Sequence, residues 1–129
     1  MDVLASRLLL CPTDPERSRH FYGEVLGLQV AREFGPLDDP GIVYFAGGGF
    51  IEVSGRAAAP PTGGMRIWLQ VRDLAAEHER LRAAGASITR APQLEPWGLV
   101  EMWIEDPDGI PIVLIEVPPE HPLRRDQRL

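Results

Sequence analysis

Two stretches of this sequence repeat one pattern, and the repeat restricts the folds open to the chain more than any other feature. Arg7 precedes Asp14 by seven residues, and Arg66 precedes Asp73 by the same interval. Each Asp closes a short apolar run and opens a segment with helical spacing. The first copy reads RLLLCPTDPERSRHFYGEVLGL and the second RIWLQVRDLAAEHERLRAAGASI. An apolar run followed by a capped helix is a strand–helix unit, so the fold is expected to be built twice from one module. In such folds function usually sits where the copies meet, and here that place is expected to hold two arginines.

The elements follow from local chemistry. Residues 4–11 are Leu-rich and alternate loosely, which predicts a buried strand. Asp14 can cap the next helix with Pro15 in its first position, while Thr13 and Glu16 offer a capping box one residue earlier. Phe21 with Val25, and Tyr22 with Leu26, form one apolar stripe, and Gly27 ends the helix. Strands are predicted at 28–34, 41–46 and 50–54, with Gly47-Gly48-Gly49 turning the last pair. After a linker-like AAAPPTGG (57–64) the order recurs. A strand at 66–72 leads to a helix capped by Asp73, with Leu74, His78 and Leu81 on one face, ending at Gly85. Strands at 86–90, 98–105 and 110–117 complete the copy, the last two joined by Asp106-Pro107-Asp108-Gly109. The fold class is therefore α+β. Two βαβββ modules are expected to form a curved eight-stranded mixed sheet, with helices outside and a concave cup inside. The boundaries expected for this single domain (1–129) are module one 4–55, linker 56–64, module two 65–117 and tail 118–129. The tail, Pro-rich and charged, is expected on the surface or reaching a partner chain.

Composition narrows the functions. The length of 129 residues suits one domain, and no apolar run is long enough to span a bilayer. The formal net charge of -6 argues against nucleic-acid or anionic-membrane partners. All 13 basic residues are arginine, so no lysine is present for Schiff-base chemistry. A single cysteine, Cys11, cannot form an internal disulfide, and MDVLASRLLL has no basic leader. A cytoplasmic protein is expected.

The order βαβββ–βαβββ, with D-x-x-x-S-x-x-F-Y in the first helix (Asp14, Ser18, Phe21, Tyr22), L-G-L at Leu26–Leu28 and D-P-D-G before the last strand, resembles the vicinal oxygen chelate superfamily. That family includes glyoxalase I, extradiol dioxygenases, fosfomycin-resistance transferases and bleomycin-resistance binding proteins. The resemblance covers nearly the whole chain. It implies homodimers, and in the family's metal enzymes four inward side chains hold a divalent cation. Carried onto this sequence, those positions are Arg7, Glu52, Arg66 and Val113. Only Glu52 could ligate. Arginine has no lone pair to offer, and one carboxylate cannot replace the three or four ligands such ions need. No metal and no other cofactor is expected.

Strand alternation gives the cup-facing set: Arg7, Leu9 and Cys11; Phe50, Glu52 and Ser54; Arg66, Trp68 and Gln70; and Val113 with Ile115. Strand 98–105 adds either Glu101 and Trp103 or Val100 and Met102, which a one-residue slip decides. Arg7 and Arg66 could face an anionic ligand, with Phe50, Trp68 and Trp103 as stacking surface. Either arginine could instead pair with Glu52, and the two roles can coexist because two arginines exceed one glutamate. His20 and His78 fall on the helices, His121 in a solvated tail, and Tyr44 and Trp97 at the rim. Cys11 has no histidine beside it for activation.

The expected function is metal-free binding of an anionic or aromatic small molecule, by sequestration or transport. Bleomycin itself is cationic and suits a net-positive cup poorly. The alternative is an enzyme of the family, a lyase, isomerase or dioxygenase, with Glu52 as its general base if metal-free.

Overall fold

A computed structural model describes residues 1–125, so Asp126–Leu129 of the expected tail lie outside the described residues. The elements are β1 (Arg7–Leu10), α1 (Pro15–His20, continued by a π-helical turn Phe21–Val25), β2 (Val30–Phe34), β3 (Gly41–Ala46) and β4 (Gly49–Val53). The second copy supplies β5 (Ile67–Gln70), α2 (Leu74–Ala83), β6 (Ser87–Leu94), β7 (Val100–Glu105) and β8 (Pro111–Glu116), and a short α3 (Pro122–Arg125) follows. This is the expected α+β order of two βαβββ modules. Its eight strands hydrogen-bond as two four-stranded mixed sheets, β1-β4-β3-β2 and β5-β8-β7-β6. In each sheet the outer first strand runs parallel to the last strand of its module, and the other pairings are antiparallel.

The chain divides into two compact units. One is Met1–Gly63 with Pro107–Gly109; the other is Gly64–Asp106 with the residues from Ile110 onward. In the first, Asp14 accepts the Arg17 amide at 3.2 Å and caps α1. The capping-box alternative is not used, because Thr13 turns elsewhere: its amide and hydroxyl both donate to the Asp108 carboxylate. The helix then widens. Leu26 N–H bonds the carbonyl of Phe21, five residues back, at 2.8 Å. An unbroken α-helix would set the adjacent Phe21 and Tyr22 on diverging faces. With the wide turn both are buried, their rings edge-to-face at 5.0 Å. Tyr22 also meets Tyr44 across the sheet face that carries Leu10, Ile42, Ile51 and Val53. Gly41 gives room to the ring of Phe34 on the paired strand, which would have to shift to admit a Cβ there.

In the second unit Asp73 caps α2 by accepting the Ala76 amide at 3.1 Å. Glu116, leaving β8 on the helix side, accepts the Leu74 amide at 2.9 Å. These two carboxylates satisfy donors that a helix start otherwise leaves unpaired. Leu74 and Leu81 of α2 are buried, as are Ile67, Met102, Ile104, Ile112 and Leu114. No helix among the described residues is long and apolar enough to cross a membrane.

Candidate functional site

Each helix covers one face of its sheet, so each module presents a second, helix-free face, and the strand registers define what stands on it. In module one, Arg7 is opposite Phe50, and Phe50 is opposite Phe45. The next row is Leu9, Glu52, Val43 and Arg32. Phe45 and Phe50 touch at 5.6 Å between ring centroids, and Leu9 is 66% exposed. In module two the corresponding row is Trp68, Val113, Trp103 and Arg90. Both rows therefore run from an exposed apolar residue on the first strand to an arginine on the edge strand. The register also settles the slip left open by the sequence. Glu101 and Trp103 share the face of Trp68 and Val113, whereas Val100 and Met102 turn toward α2.

The charges are arranged differently in the two modules. Arg7 donates to Glu52 Oε1 at 2.8 Å, and the Ser54 hydroxyl donates to Glu52 Oε2 at 2.6 Å. The Ser54 hydrogen bond first, and the Arg7 hydrogen bond second, hold the Glu52 carboxyl below its usual range, with Arg32 adding a weaker pull. Arg66 has no such partner: among the described residues it forms no ion pair, and its guanidinium lies 5.9 Å from the centre of the Trp103 ring. Stacking of this kind leaves the cation's outer hydrogen-bonding edge available, and contributes about 0.5–1 kcal/mol at an exposed site. Trp68 is 51% exposed. Trp103 packs on a buried cluster of Leu99, Val113, Ile115 and Val117, which fixes its ring.

These residues do not suit a divalent cation. Arg7 occupies Glu52 as a donor, Arg66 offers no lone pair, and Val113 is a buried alkyl group. Among the described residues no group of three or more His, Cys, Asp or Glu is placed to hold a metal ion.

Several expectations are corrected. Tyr44 is no rim residue: it is buried, its hydroxyl donates to the Arg19 carbonyl at 3.2 Å, and burial raises its pKa. It alternates onto the helix side of β3, where its ring meets Tyr22. His121 is not simply solvated, because its ring bonds the Trp97 carbonyl. Asp108 is more than turn chemistry, since it holds Thr13, while Asp106 closes its own turn by accepting the Ile110 amide at 2.9 Å. Trp97 does stand in a turn, 58% exposed. His20 is exposed at the end of α1, and Cys11 is exposed and free. His78 lines a groove of about 430 Å³ on the helix side of module two, with Leu74, Pro92, Val100 and Glu116.

Sequence reasoning placed Glu101 among the alternatives for this face but missed Glu95 and the polar network the two belong to. In module two, Glu95 and Glu101 are buried carboxylates. Glu101 accepts the Trp97 indole N–H at 2.7 Å, and Glu95 accepts from Arg90 and, at 3.5 Å, from Gln93. The signal was hidden by ending β6 at residue 90. The strand runs on to Leu94, with register shifts that set Gln93 opposite Glu101.

Comparison with known proteins places this geometry. Residues 5–114 match the sequence profile of the Glyoxalase/Bleomycin resistance protein/Dioxygenase superfamily. A search of curated proteins finds no match. Among solved structures, TioX from Micromonospora sp. ML1 is 24% identical with a TM-score of 0.71, over 87% of this chain and 98% of that one. TnmS3, described as an antibiotic binding protein from Streptomyces sp. CB03234, is 20% identical with a TM-score of 0.74, over 91% and 98%. A superfamily member from Sphaerobacter thermophilus DSM 20745 is 23% identical with a TM-score of 0.70, over 89% and 98%. These likenesses carry the fold, and the profile match spans most of the sequence. The chain belongs to the glyoxalase/bleomycin resistance protein/dioxygenase superfamily.

Proposed function

We propose that this protein binds a small aromatic or anionic molecule, without a metal and without turning it over, in a sequestering or carrying role. The observation that carries the reading is the row Trp68–Val113–Trp103 with Arg66 over the Trp103 ring. Two indoles stand in one row on either side of the buried Val113, as an apolar surface. At its margin the Arg66 guanidinium, with no carboxylate partner among the described residues, supplies a donor for an anionic group. In module one, taken by itself, Arg7 and Glu52 pair with each other beside Phe50. The description of TnmS3 as antibiotic binding supports a binding role on this fold. An enzyme using Glu52 as a general base is disfavoured, because a carboxylate whose pKa is lowered is a weaker proton acceptor.

The test is calorimetric titration with a panel of aromatic carboxylates and their neutral amides. Arg66→Ala should weaken the carboxylates by about tenfold, which is about 1.4 kcal/mol, and the amides by less than about twofold. Equal weakening of both would remove the anionic preference. Absence of saturable binding across the panel would remove the reading itself.

A further inference from the structure

The contacts of His121 suit one form of its ring by hydrogen-bond logic. Its Nε2 lies 3.0 Å from the Trp97 carbonyl oxygen, which can only accept. Its Nδ1 lies 3.2 Å from the Leu123 amide, which can only donate. Nε2 must therefore carry the hydrogen and Nδ1 must be bare, so the ring is neutral and in one tautomer. The contact is closely fitted. Gly98 has φ 92°, and a Cβ on it would come within 3.0 Å of the His121 ring. The His121 amide also bonds the Pro118 carbonyl at 3.0 Å, closing the turn that delivers the ring.

We propose that His121 is a proton-sensitive cap on α3: its ring stays tethered to the Trp97 carbonyl in either charge state, and accepts the Leu123 amide only as the neutral imidazole. A second ring proton has one place to go, Nδ1, where it points at the Leu123 N–H. Two donors cannot share that contact, so the amide of the first turn of α3 loses its acceptor. The Nε2 bond to Trp97 survives, and the segment stays tethered through the ring while α3 loosens. Histidine is the side chain whose charge ordinarily changes within the physiological pH range. The other titratable groups on the elements around it are engaged or distant in role. Glu95 takes Arg90 and Gln93, Glu101 takes the Trp97 indole, Glu116 takes the Leu74 amide, and Glu120 stands on the segment itself. The tether is to the Trp97 carbonyl, in a residue whose indole N–H donates to Glu101. It does not depend on what the helix-free faces bind.

The test is nitrogen NMR on the full chain between pH 8 and pH 5, in the natural protein and in His121→Asn. Asparagine keeps a pH-independent acceptor for the Leu123 amide. At pH 8 the His121 ring should show a bare Nδ1 and a protonated Nε2. On acidification the Leu123 amide signal should move with the same midpoint as the ring, and in His121→Asn it should not move. A protonated Nδ1 at pH 8, or a Leu123 signal that titrates equally in both proteins, would overturn the proposal.

Discussion

At the scale of single residues, the most consequential fact is how two repeated arginines were put to different uses. Arg7 is paired with Glu52, and Arg66 lies over the Trp103 ring with no carboxylate partner among the described residues. The sequence made both roles legible as alternatives, because alternation fixes faces. It could not assign them, because the choice depends on which side chains reach across the strands. Ser54 illustrates this: alternation set it beside Glu52, but not that its hydroxyl would donate to that carboxylate and be the largest influence on it. The lowered carboxyl gives a signed pH prediction. A folded pKa below the unfolded one stabilises above the unfolded value, about 4.3, and that contribution is lost as pH falls through the folded one. The stability difference between the natural protein and Glu52→Gln, from urea unfolding, should hold constant between pH 7 and pH 5. It should then shrink below about pH 4. A difference that grows on acidification would mean that Glu52 is raised. Tyr44 was misplaced at the rim because β3 reads as uniformly apolar and gives alternation nothing to mark. Tyr44→Phe should cost about 1 kcal/mol through the lost bond to the Arg19 carbonyl, and should leave aromatic-carboxylate binding unchanged.

At the scale of elements, caps and turns were the legible part. Asp14, Asp73 and Gly27 act where their chemistry placed them, because capping depends on neighbours within a few residues. What escaped notice depends on tertiary packing. The π-helical turn at Phe21–Val25 answers the need to bury two adjacent aromatics, and the reach of β6 to Leu94 answers its pairing with β7. Asp73 carries a direct prediction. Removing this cap in Asp73→Ala should lower stability by about 1 kcal/mol, read as a melting temperature lower by roughly 3–6 °C. The loss should stay moderate, because Glu116 still holds the Leu74 amide. An unchanged melting temperature would show that Asp73 does not cap the helix in solution. The capping box failed for a long-range reason: Thr13 is claimed by Asp108, about ninety residues away in the sequence, which no local window contains.

At the scale of the whole molecule, the duplication was readable because it is written twice, in spacing and in order, and the family followed from it. The helix-free faces were readable as sets of residues, Glu101 among the alternatives, while the buried Glu95 was not. Each sheet also ends in open edge strands, and module one displays Leu9, Val30 and Phe45 in an exposed state. Unpaired edges and exposed apolar groups are covered by association in many sheet proteins. We expect a homodimer by light scattering at micromolar concentration, and a monomer there would refute this. The central proposal is that this chain binds a small molecule through Arg66 and the Trp68 and Trp103 indoles, without a metal. Calorimetric titration of the natural protein with the aromatic-carboxylate panel, with and without EDTA, addresses it most directly. The account predicts saturable binding of at least one carboxylate with an affinity that EDTA leaves unchanged. Binding that EDTA abolishes and a divalent metal restores would contradict it.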